Sequence, residues 1–225
     1  MHAHWLPGLD DGAETMEDSL NLIRELVGMG YRKLIATPHV MADLYPNTSA
    51  TIRQRLEEVR TAVNAAGIQV ELDAAAEYLM DEGFEQRLQK NDILTLPGNH
   101  VLVEFSFVAP PPTRDALFFQ LLSKGYVPVL AHPERYRFYH RQFEEYRNLA
   151  ARGIKLQVNL LSLLGYYGNS IREVAEQLIA ENLVDILGTD AHHERHLESL
   201  QELSQSRKFG ASIPRRTWKN TTWFA

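Results

Sequence analysis

Residues 126–135 read YVPVLAHPER, and the fold turns on how this stretch is taken. Tyr126 to Leu130 reads as a strand despite Pro128, and it runs directly into His132. The same arrangement, an apolar run ending on a polar group, recurs on both sides of it. Lys33 to Ala36 runs into Thr37-Pro38-His39. Ile68 to Leu72 leads to Ala76-Glu77, and Val101-Leu102-Val103 leads to Glu104. Ile154 to Val158 ends at Asn159, and Val184 to Leu187 ends at Gly188-Thr189-Asp190.

Helical spacing fills the intervals. Met16, Leu20, Ile23 and Val27 recur on one face, after Thr15 and Asp18 in capping-box positions, and Gly28 and Gly30 end that helix. Ile52, Leu56, Val59 and Val63 mark a second helix stopped by Gly67. Strands alternating with helices predict βα units on a parallel sheet. Six strands are visible, and a seventh would precede His2. Pro110-Pro111-Pro112 predicts a rigid loop after Glu104. No repeat or linker interrupts residues 1–205, so a single domain is expected there. Residues 206–225, basic and aromatic with no periodicity, are expected to form an irregular tail.

Bulk composition narrows the function. The chain has 225 residues, 44% of them hydrophobic, which suits one domain with a sizeable core. A net charge of −6 gives no nucleic-acid footprint. The absence of cysteine excludes a disulfide framework, thiolate metal sites and a cysteine nucleophile. No apolar run approaches the ~20 residues of a membrane span. Met1-His2-Ala3-His4 lacks the features of a secretion signal, so no membrane insertion and a cytoplasmic location are expected.

The strand-end residues carry the chemistry. His39, Glu77, Glu104, His132 and Asp190 are all ligand types for divalent transition metals. His2 and His4 join them, as do Asp10-Asp11 and His192. In an α/β barrel the C-terminal strand ends converge on one face, so residues from 2 to 192 can meet there. In an extended segment, residues i and i+2 point the same way, so His2 and His4 can bind one ion, as can Asp190 and His192. Taken singly, each has a bland account. A lone histidine is usually a core or surface residue, Glu77 could favour a helix start, and Asp190 could cap a turn. Glu104 is harder to dismiss, because a carboxylate after three apolar strand residues is costly unless paired or metal-bound. The bland accounts do not explain why ligand types recur at strand ends. His100, His140, His193 and His196 have no such context and are expected at the surface. Asn159, an amide, is a poor ligand and is expected to hydrogen-bond nearby.

Read in order, HAHWLPGLDDG at 2–12, ATPH at 36–39, AAEYL at 75–79, VEFSF at 103–107, AHPER at 131–135 and GTDAH at 188–192 resemble the polymerase-and-histidinol-phosphatase (PHP) superfamily. More narrowly, they are similar to the tyrosine-protein phosphatases of bacterial capsular and exopolysaccharide operons. The similarity spans about residues 1–200. It implies a distorted seven-stranded (β/α)7 barrel of the PHP type; only Met1 precedes His2, so either the first strand of that pattern is missing or the start is misassigned. His2 and His4 are then expected to be held loosely.

The resemblance also implies three divalent ions, usually Mn2+, with Mg2+, Fe2+ or Zn2+ as alternatives. His2, His4, Glu77 and Asp190 would hold one. Glu77, Glu104 and His132 would hold a second, and Asp11, His39 and His192 a third, with Asp10 the alternative to Asp11. Four carboxylates at about −4 and three ions at about +6 leave a positive centre for a phosphate dianion. Arg135 would clamp phosphate oxygens with its planar fork, and Arg195 is a second candidate. The implied substrate is a phosphotyrosine protein, namely a bacterial tyrosine kinase that controls polysaccharide export. A phenolate leaves readily, its parent pKa being about 10. Two alternatives stay open: a small-molecule phosphoesterase such as a histidinol phosphatase, and a non-catalytic metal-binding scaffold.

Overall fold

The computed structural model describes residues 2–205 and 218–220. Of the expected irregular tail, residues 206–217 and 221–225 lie outside the described residues. In chain order the helices are α1 (Met16–Gly28), α2 (Ser49–Ala65), α3 (Glu82–Lys90), α4 (Arg114–Ser123), α5 (Glu144–Ala151), α6 (Leu160–Leu163), α7 (Asn169–Ala180) and α8 (Glu194–Gln205). The strands are β1 (Lys33–Ala36), β2 (His39–Val40), β3 (Glu71–Ala74), β4 (Glu77–Leu79), β5 (His100–Glu104), β6 (Val127–Ala131), β7 (Lys155–Asn159) and β8 (Ile186–Gly188). Helix α1 starts where its capping box predicts. The Thr15 side chain accepts from the Asp18 amide, and the Asp18 carboxylate accepts from the Thr15 amide.

All strand pairs are parallel. Six strands form one sheet in the order β2-β4-β5-β6-β7-β8, and β1 pairs with β3 in a second. Two more strands are present than the sequence predicted, because two predicted strands are interrupted and then resume. β1 stops at Thr37-Pro38, where proline offers no amide to a ladder, and continues as β2. β3 likewise stops at Ala75-Ala76 and continues as β4. Single bonds carry the pairing across the gap: the Ala75 amide donates to the Ala36 carbonyl at 2.8 Å, and the Glu77 amide to the Pro38 carbonyl at 3.0 Å. Strands β3, β5, β6, β7 and β8 also end one or two residues later than predicted, so Glu104 and Asn159 lie within their strands.

The sheet is not closed. The architecture is mixed α/β with a parallel sheet, not a continuous ring of strands. Residues 2–4 lie between its two free ends. The Thr37 amide donates to the Ala3 carbonyl at 2.9 Å, the His4 amide to the Ala191 carbonyl at 2.9 Å, and the Asp190 amide to the His2 carbonyl at 2.8 Å. The Thr189 hydroxyl donates to the same His2 carbonyl at 2.7 Å. The expected looseness of His2 and His4 is therefore corrected. Backbone bonds from both ends of the sheet hold them, and both are fully buried.

Each strand separates two environments by its period of two. On the helix-facing side, Val101, Val103, Leu130, Leu156 and Val158 join a large core with Trp5, Tyr78, Phe84, Phe118 and Tyr146. On the other side, Ile35, Ala75, Leu102, Val129, Ala131 and Ile186 form a small apolar cluster. Following that inner parity toward the strand ends leads from Leu102 to Glu104 on β5. On β7 the same parity carries Gln157 and Asn159, and on β8 it leads from Ile186 to Gly188. The inner face thus changes from apolar to polar at the C-terminal ends of the strands. Beyond the sheet, Asn220 bonds with the Leu187 backbone, accepting from its amide at 2.9 Å and donating to its carbonyl at 2.7 Å.

Candidate metal centre

Nine residues of the predicted set come together: Glu104 closes β5, His132 and Asp190 follow β6 and β8, His39 and Glu77 open β2 and β4 rather than ending strands, and His2, His4, Asp11 and His192 come from the connecting segments. His2, His4, Glu77 and Asp190 offer ligand atoms that all lie within 4.8 Å of one another, and all four are buried. The same criterion groups His39, Glu77 and Glu104, and also His4, Asp11, His39 and His192. Glu77 is central. Its Oε2 lies 3.1 Å from His2 Nε2, 3.5 Å from His4 Nε2 and 3.3 Å from His39 Nδ1, and its Oε1 lies 3.0 Å from His132 Nε2. Glu104 bridges between His39 Nδ1 at 2.8 Å and His132 Nε2 at 3.8 Å. His39 therefore faces the Glu77–Glu104 pair as well as the Asp11 side where the sequence reading put it.

Three of these residues hold left-handed backbone: His2 at φ 59°, His132 at φ 35° and Asp190 at φ 50°. That conformation costs on the order of 1–3 kcal/mol per non-glycine residue, and the surrounding structure must enforce it. At His132 and Asp190 it falls just after a strand ends, and all three side chains are buried.

Geometry separates the two neighbouring aspartates. Asp10 accepts from His4 Nδ1 at 2.6 Å, from the His39 amide at 2.9 Å and from the Gly12 amide at 3.0 Å. It orients His4 so that Nε2 faces Glu77 and Asp190. Asp11 instead points at the opening, its side chain 56% exposed, with Oδ1 3.6 Å from both His39 Nε2 and His192 Nε2. Gly12 permits this loop, since a Cβ there would lie 2.0 Å from the His4 carbonyl oxygen.

The side chains fit a cation better than they fit one another. His4 Nε2, His39 Nδ1, Glu77 Oε1, Glu104 Oε1 and Asp190 Oδ1 are all buried without a hydrogen-bond partner, though other ligand atoms stand close by. Buried polar atoms left without a hydrogen-bond partner in such numbers are otherwise rare. Without an ion, protons must serve as the cations. Burial opposes charge on His2, but Glu77 and Asp190 outweigh it and push its pKa up to about 10. His4 is likewise raised, against burial, chiefly by Asp10. Burial would raise Glu77 and Asp190, yet the neighbouring histidines, His2 foremost, hold both well below the usual carboxylate range. His192 differs: burial and the adjacent His4 push it down to about 4.

The mouth is a cavity of about 250 Å3 lined by Asp11, His39, Glu104, His132, Asp190 and His192 together with Arg135, Phe107 and Tyr167. Arg135 Nη1 donates to Asp190 Oδ2 at 3.0 Å. Its guanidinium lies between two rings, 4.7 Å from the centroid of Phe107 and 4.4 Å from that of Tyr167. Arg195 is not at this mouth; it lines an adjoining cavity with Asp11, Glu14 and His192.

Two histidines expected at the surface are buried. His100 opens β5, with Nδ1 2.6 Å from the Pro97 carbonyl oxygen. His196 lies in the first turn of α8 and accepts the His192 amide at 3.2 Å, which fixes the loop that carries His192. His193 is exposed and His140 half-buried. Sequence reasoning also passed over Phe107, Tyr167, Glu134 and Gln157. Glu134, fully buried, accepts from the Asn159 amide at 2.9 Å and from the Ser162 hydroxyl at 2.6 Å, tying the HPER turn to β7. Its place beside Arg135 in that motif was the available signal. Asn159 does hydrogen-bond nearby, donating to Asp190 Oδ2 at 2.6 Å.

Among the described residues, no helix is long and apolar enough to cross a membrane. Known proteins share both sequence and fold with this chain. Tyrosine-protein phosphatase YwqE of Bacillus subtilis (strain 168) is 32% identical over 218 residues, covering 95% of this chain and 86% of the relative. The putative tyrosine-protein phosphatase CapC of Staphylococcus aureus is 24% identical over 249 residues, covering 100% and 98%. A crystal structure from work on YwqE and on CpsB from Streptococcus pneumoniae, described as unique metal-dependent tyrosine phosphatases, superposes with a TM-score of 0.82. It is 31% identical and covers 92% of this chain and 86% of that one. The family model described as "Capsular polysaccharide synthesis, CpsB/CapC" matches residues 1–212. By sequence, by fold and by the family model, the chain belongs to the CpsB/CapC family of capsular polysaccharide synthesis.

Proposed function

We propose that this chain is a metal-dependent protein-tyrosine phosphatase. The observation that carries the reading is the convergence of three overlapping ligand groups, joined through Glu77, His4 and His39, beneath an arginine stacked between two aromatic rings. Three divalent ions, with Mn2+ preferred, suit the ligand supply. His2, His4, Glu77 and Asp190 would hold the first; Glu77, Glu104 and His132, with His39 close by, the second; and Asp11, His39 and His192 the third. When bound, such ions lower the pKa of water and neutralise charge on phosphate oxygens.

The protein's own groups supply the rest. Arg135 uses one nitrogen on Asp190 and lines the mouth, where its remaining N–H groups would clamp non-bridging oxygens of the phosphate. Hydrolysis replaces the phosphorus–phenol oxygen bond with one to a water oxygen. Because the phenol pKa is about 10, tyrosinate departs without a dedicated acid. Arg195, in the adjoining cavity, would meet flanking parts of the substrate. Phe107, which lines the mouth and is 51% exposed, gives the rim an apolar edge that suits an aromatic ring better than a small polar ester such as histidinol phosphate.

The names of the relatives and of the family support a tyrosine-phosphorylated protein of capsule synthesis as substrate; a bacterial tyrosine kinase as the partner and the cytoplasm as the place complete the proposal. Residues 1–205 form the catalytic domain in this reading, a seven-stranded barrel distorted at its first strand, with 206–225 as an appended tail. Support for the barrel comes from residues 2–4, which bond to both free ends of the sheet. The test compares kcat/KM of the Mn2+-loaded protein on a phosphotyrosine peptide and on histidinol phosphate. The peptide is expected to be preferred; a preference for histidinol phosphate would sink the assignment.

A further inference from the structure

We infer that Gln157 and Asn159 form a polarised relay that fixes how His2 and Asp190 present themselves to one ion, and that Gly188 lacks a side chain to leave room for it. The inference rests on the metal-dependent reading above and names positioning residues within that site.

The relay runs through four buried side chains. His2 Nδ1 lies 2.5 Å from Gln157 Oε1, Gln157 Nε2 donates to Asn159 Oδ1 at 2.8 Å, and Asn159 Nδ2 donates to Asp190 Oδ2 at 2.6 Å. Its direction follows from chemistry. An ionised carboxylate only accepts, so Asn159 must turn its amide nitrogen toward Asp190. Its oxygen then faces Gln157, which must answer with its own nitrogen. The Gln157 oxygen is left for His2, so His2 Nδ1 must carry a hydrogen. The lone pair available to an ion is therefore on Nε2, the atom 3.1 Å from Glu77 Oε2 and 3.2 Å from Asp190 Oδ1.

The same chain settles Asp190. Its Oδ2 is occupied by Asn159 and by Arg135, while Oδ1 is buried without a hydrogen-bond partner. One relay thus holds the outer atom of each ligand and leaves both inner atoms facing one point. His4 achieves the equivalent with a charged partner, Asp10.

The space for the relay is specific. Gln157 and Asn159 are fully buried on the inner face of β7, where apolar side chains would pack without any polar requirement. On the neighbouring strand, a Cβ at Gly188 would lie 2.4 Å from Gln157 Nε2 and 2.7 Å from its Cδ. An alanine at 188 would push the carboxamide off its partners without removing any hydrogen-bonding group.

The test uses Gln157→Ala, Gln157→Glu, Gly188→Ala and the double Gln157→Ala/Gly188→Ala variant in the full chain. Tightest-site Mn2+ affinity is read from the free-ion EPR signal in competition with a chelator. The His2 Nδ1 proton is read in the metal-free protein as a downfield, exchange-protected NMR signal. Losing the partner of a metal-bound histidine typically weakens binding ~10–100-fold, and Gln157→Ala and Gly188→Ala are each expected to do so. The double variant should bind no more weakly than Gln157→Ala alone, because Gly188 acts only through Gln157. Gln157→Glu should keep the proton signal, since its carboxylate still accepts from Nδ1, whereas Gln157→Ala should lose it. Wild-type Mn2+ affinity together with an unshifted proton signal in Gln157→Ala would overturn the relay. So would a full additional loss on adding Gly188→Ala. If Gln157→Ala does not fold, Gly188→Ala and Gln157→Glu carry the same readouts. Failure of the wild-type chain to take up Mn2+ would instead overturn the metal centre, with the proton signal still judging the relay.

Discussion

The ligand cluster has a floor and a lip, built on different principles. The floor, made of His2, His4, Glu77 and Asp190, is wholly buried. Left-handed backbone at two of its four residues and hydrogen bonds to their outer atoms keep it in place. The lip, where Asp11 meets His39 and His192, opens to solvent, and the Asp11 carboxylate is 56% exposed. His4 belongs to both, its ring stacked 3.8 Å from that of His192. The contrast shows that one site can join a buried, preorganised set of ligand types to an exposed one. Burial makes ligand desolvation costly but leaves nothing to order on binding, and exposure does the reverse.

The largest expected effect comes from the floor. Glu77→Gln removes the charge that faces four histidines. Phosphatase kcat/KM on a phosphotyrosine peptide should fall on the order of a thousandfold, with loss of bound ions by elemental analysis. Asp11→Asn should lose less activity and retain the floor ion after brief chelation; equal loss of every ion would abolish the distinction between floor and lip.

Arg135→Lys comes next. Lysine keeps the charge but lacks the planar fork that contacts Asp190 while lying between Phe107 and Tyr167. A loss of about a hundredfold in kcat/KM is expected, with bound ions retained. Ion loss equal to that of Glu77→Gln would make Arg135 part of the floor rather than a clamp above it.

Protons offer a finer probe. In the ion-free protein His2 keeps its proton to about pH 10, so loading an ion near pH 7 must expel it. His192, pushed down to about 4, is already neutral and has none to release. Calorimetry in buffers of different ionisation enthalpy should count about one proton fewer in His2→Ala than in wild type, and no fewer in His192→Ala. The sign extends to stability. The His2 charge contributes fully below its unfolded pKa of about 6.5, and this contribution is lost as pH rises toward about 10. An ion-free protein that gains stability over that interval would contradict the assignment.

The smallest effect lies outside the site. Asn220→Ala removes two hydrogen bonds to the Leu187 backbone on β8. A cost of about 1–3 kcal/mol is expected, a fall of several degrees in Tm by calorimetry, with ion content unchanged. A loss of floor ions there would show that the ligands depend on the whole sheet edge.

Much of the site was legible because ligand types stand just after apolar runs, even where the strand itself continues or resumes through them. His39, Glu77, Glu104, His132 and Asp190 were visible as ligand types in that position. Gln157 was not, since a polar residue between Leu156 and Val158 looks like the outward alternation of any half-buried strand. Only the inner apolar cluster reveals that its parity points inward. The resumption of β1 and β3 as β2 and β4 was equally hidden, although Pro38 marked one break. His196 was expected at the surface because its burial comes from residues distant in the chain, with the rings of Tyr166 and Tyr167 lying 5.1 Å and 6.5 Å from its own.

By itself, then, the sequence determined the kind of chemistry: ligand types in order, no thiol, an arginine after His132, and strands to carry them. These are local facts, set by residue type and by the short-range periodicity of backbone geometry. The tertiary structure alone decided which atom of each ligand faces the centre. It put Asp10 behind His4 and Asp11 at the opening, brought His39 to both carboxylates, and joined His2 to Gln157 across 155 positions of chain. The physical reason is directional. A ligand is defined by where its lone pair points, and that direction is set by hydrogen bonds from residues far away in the chain.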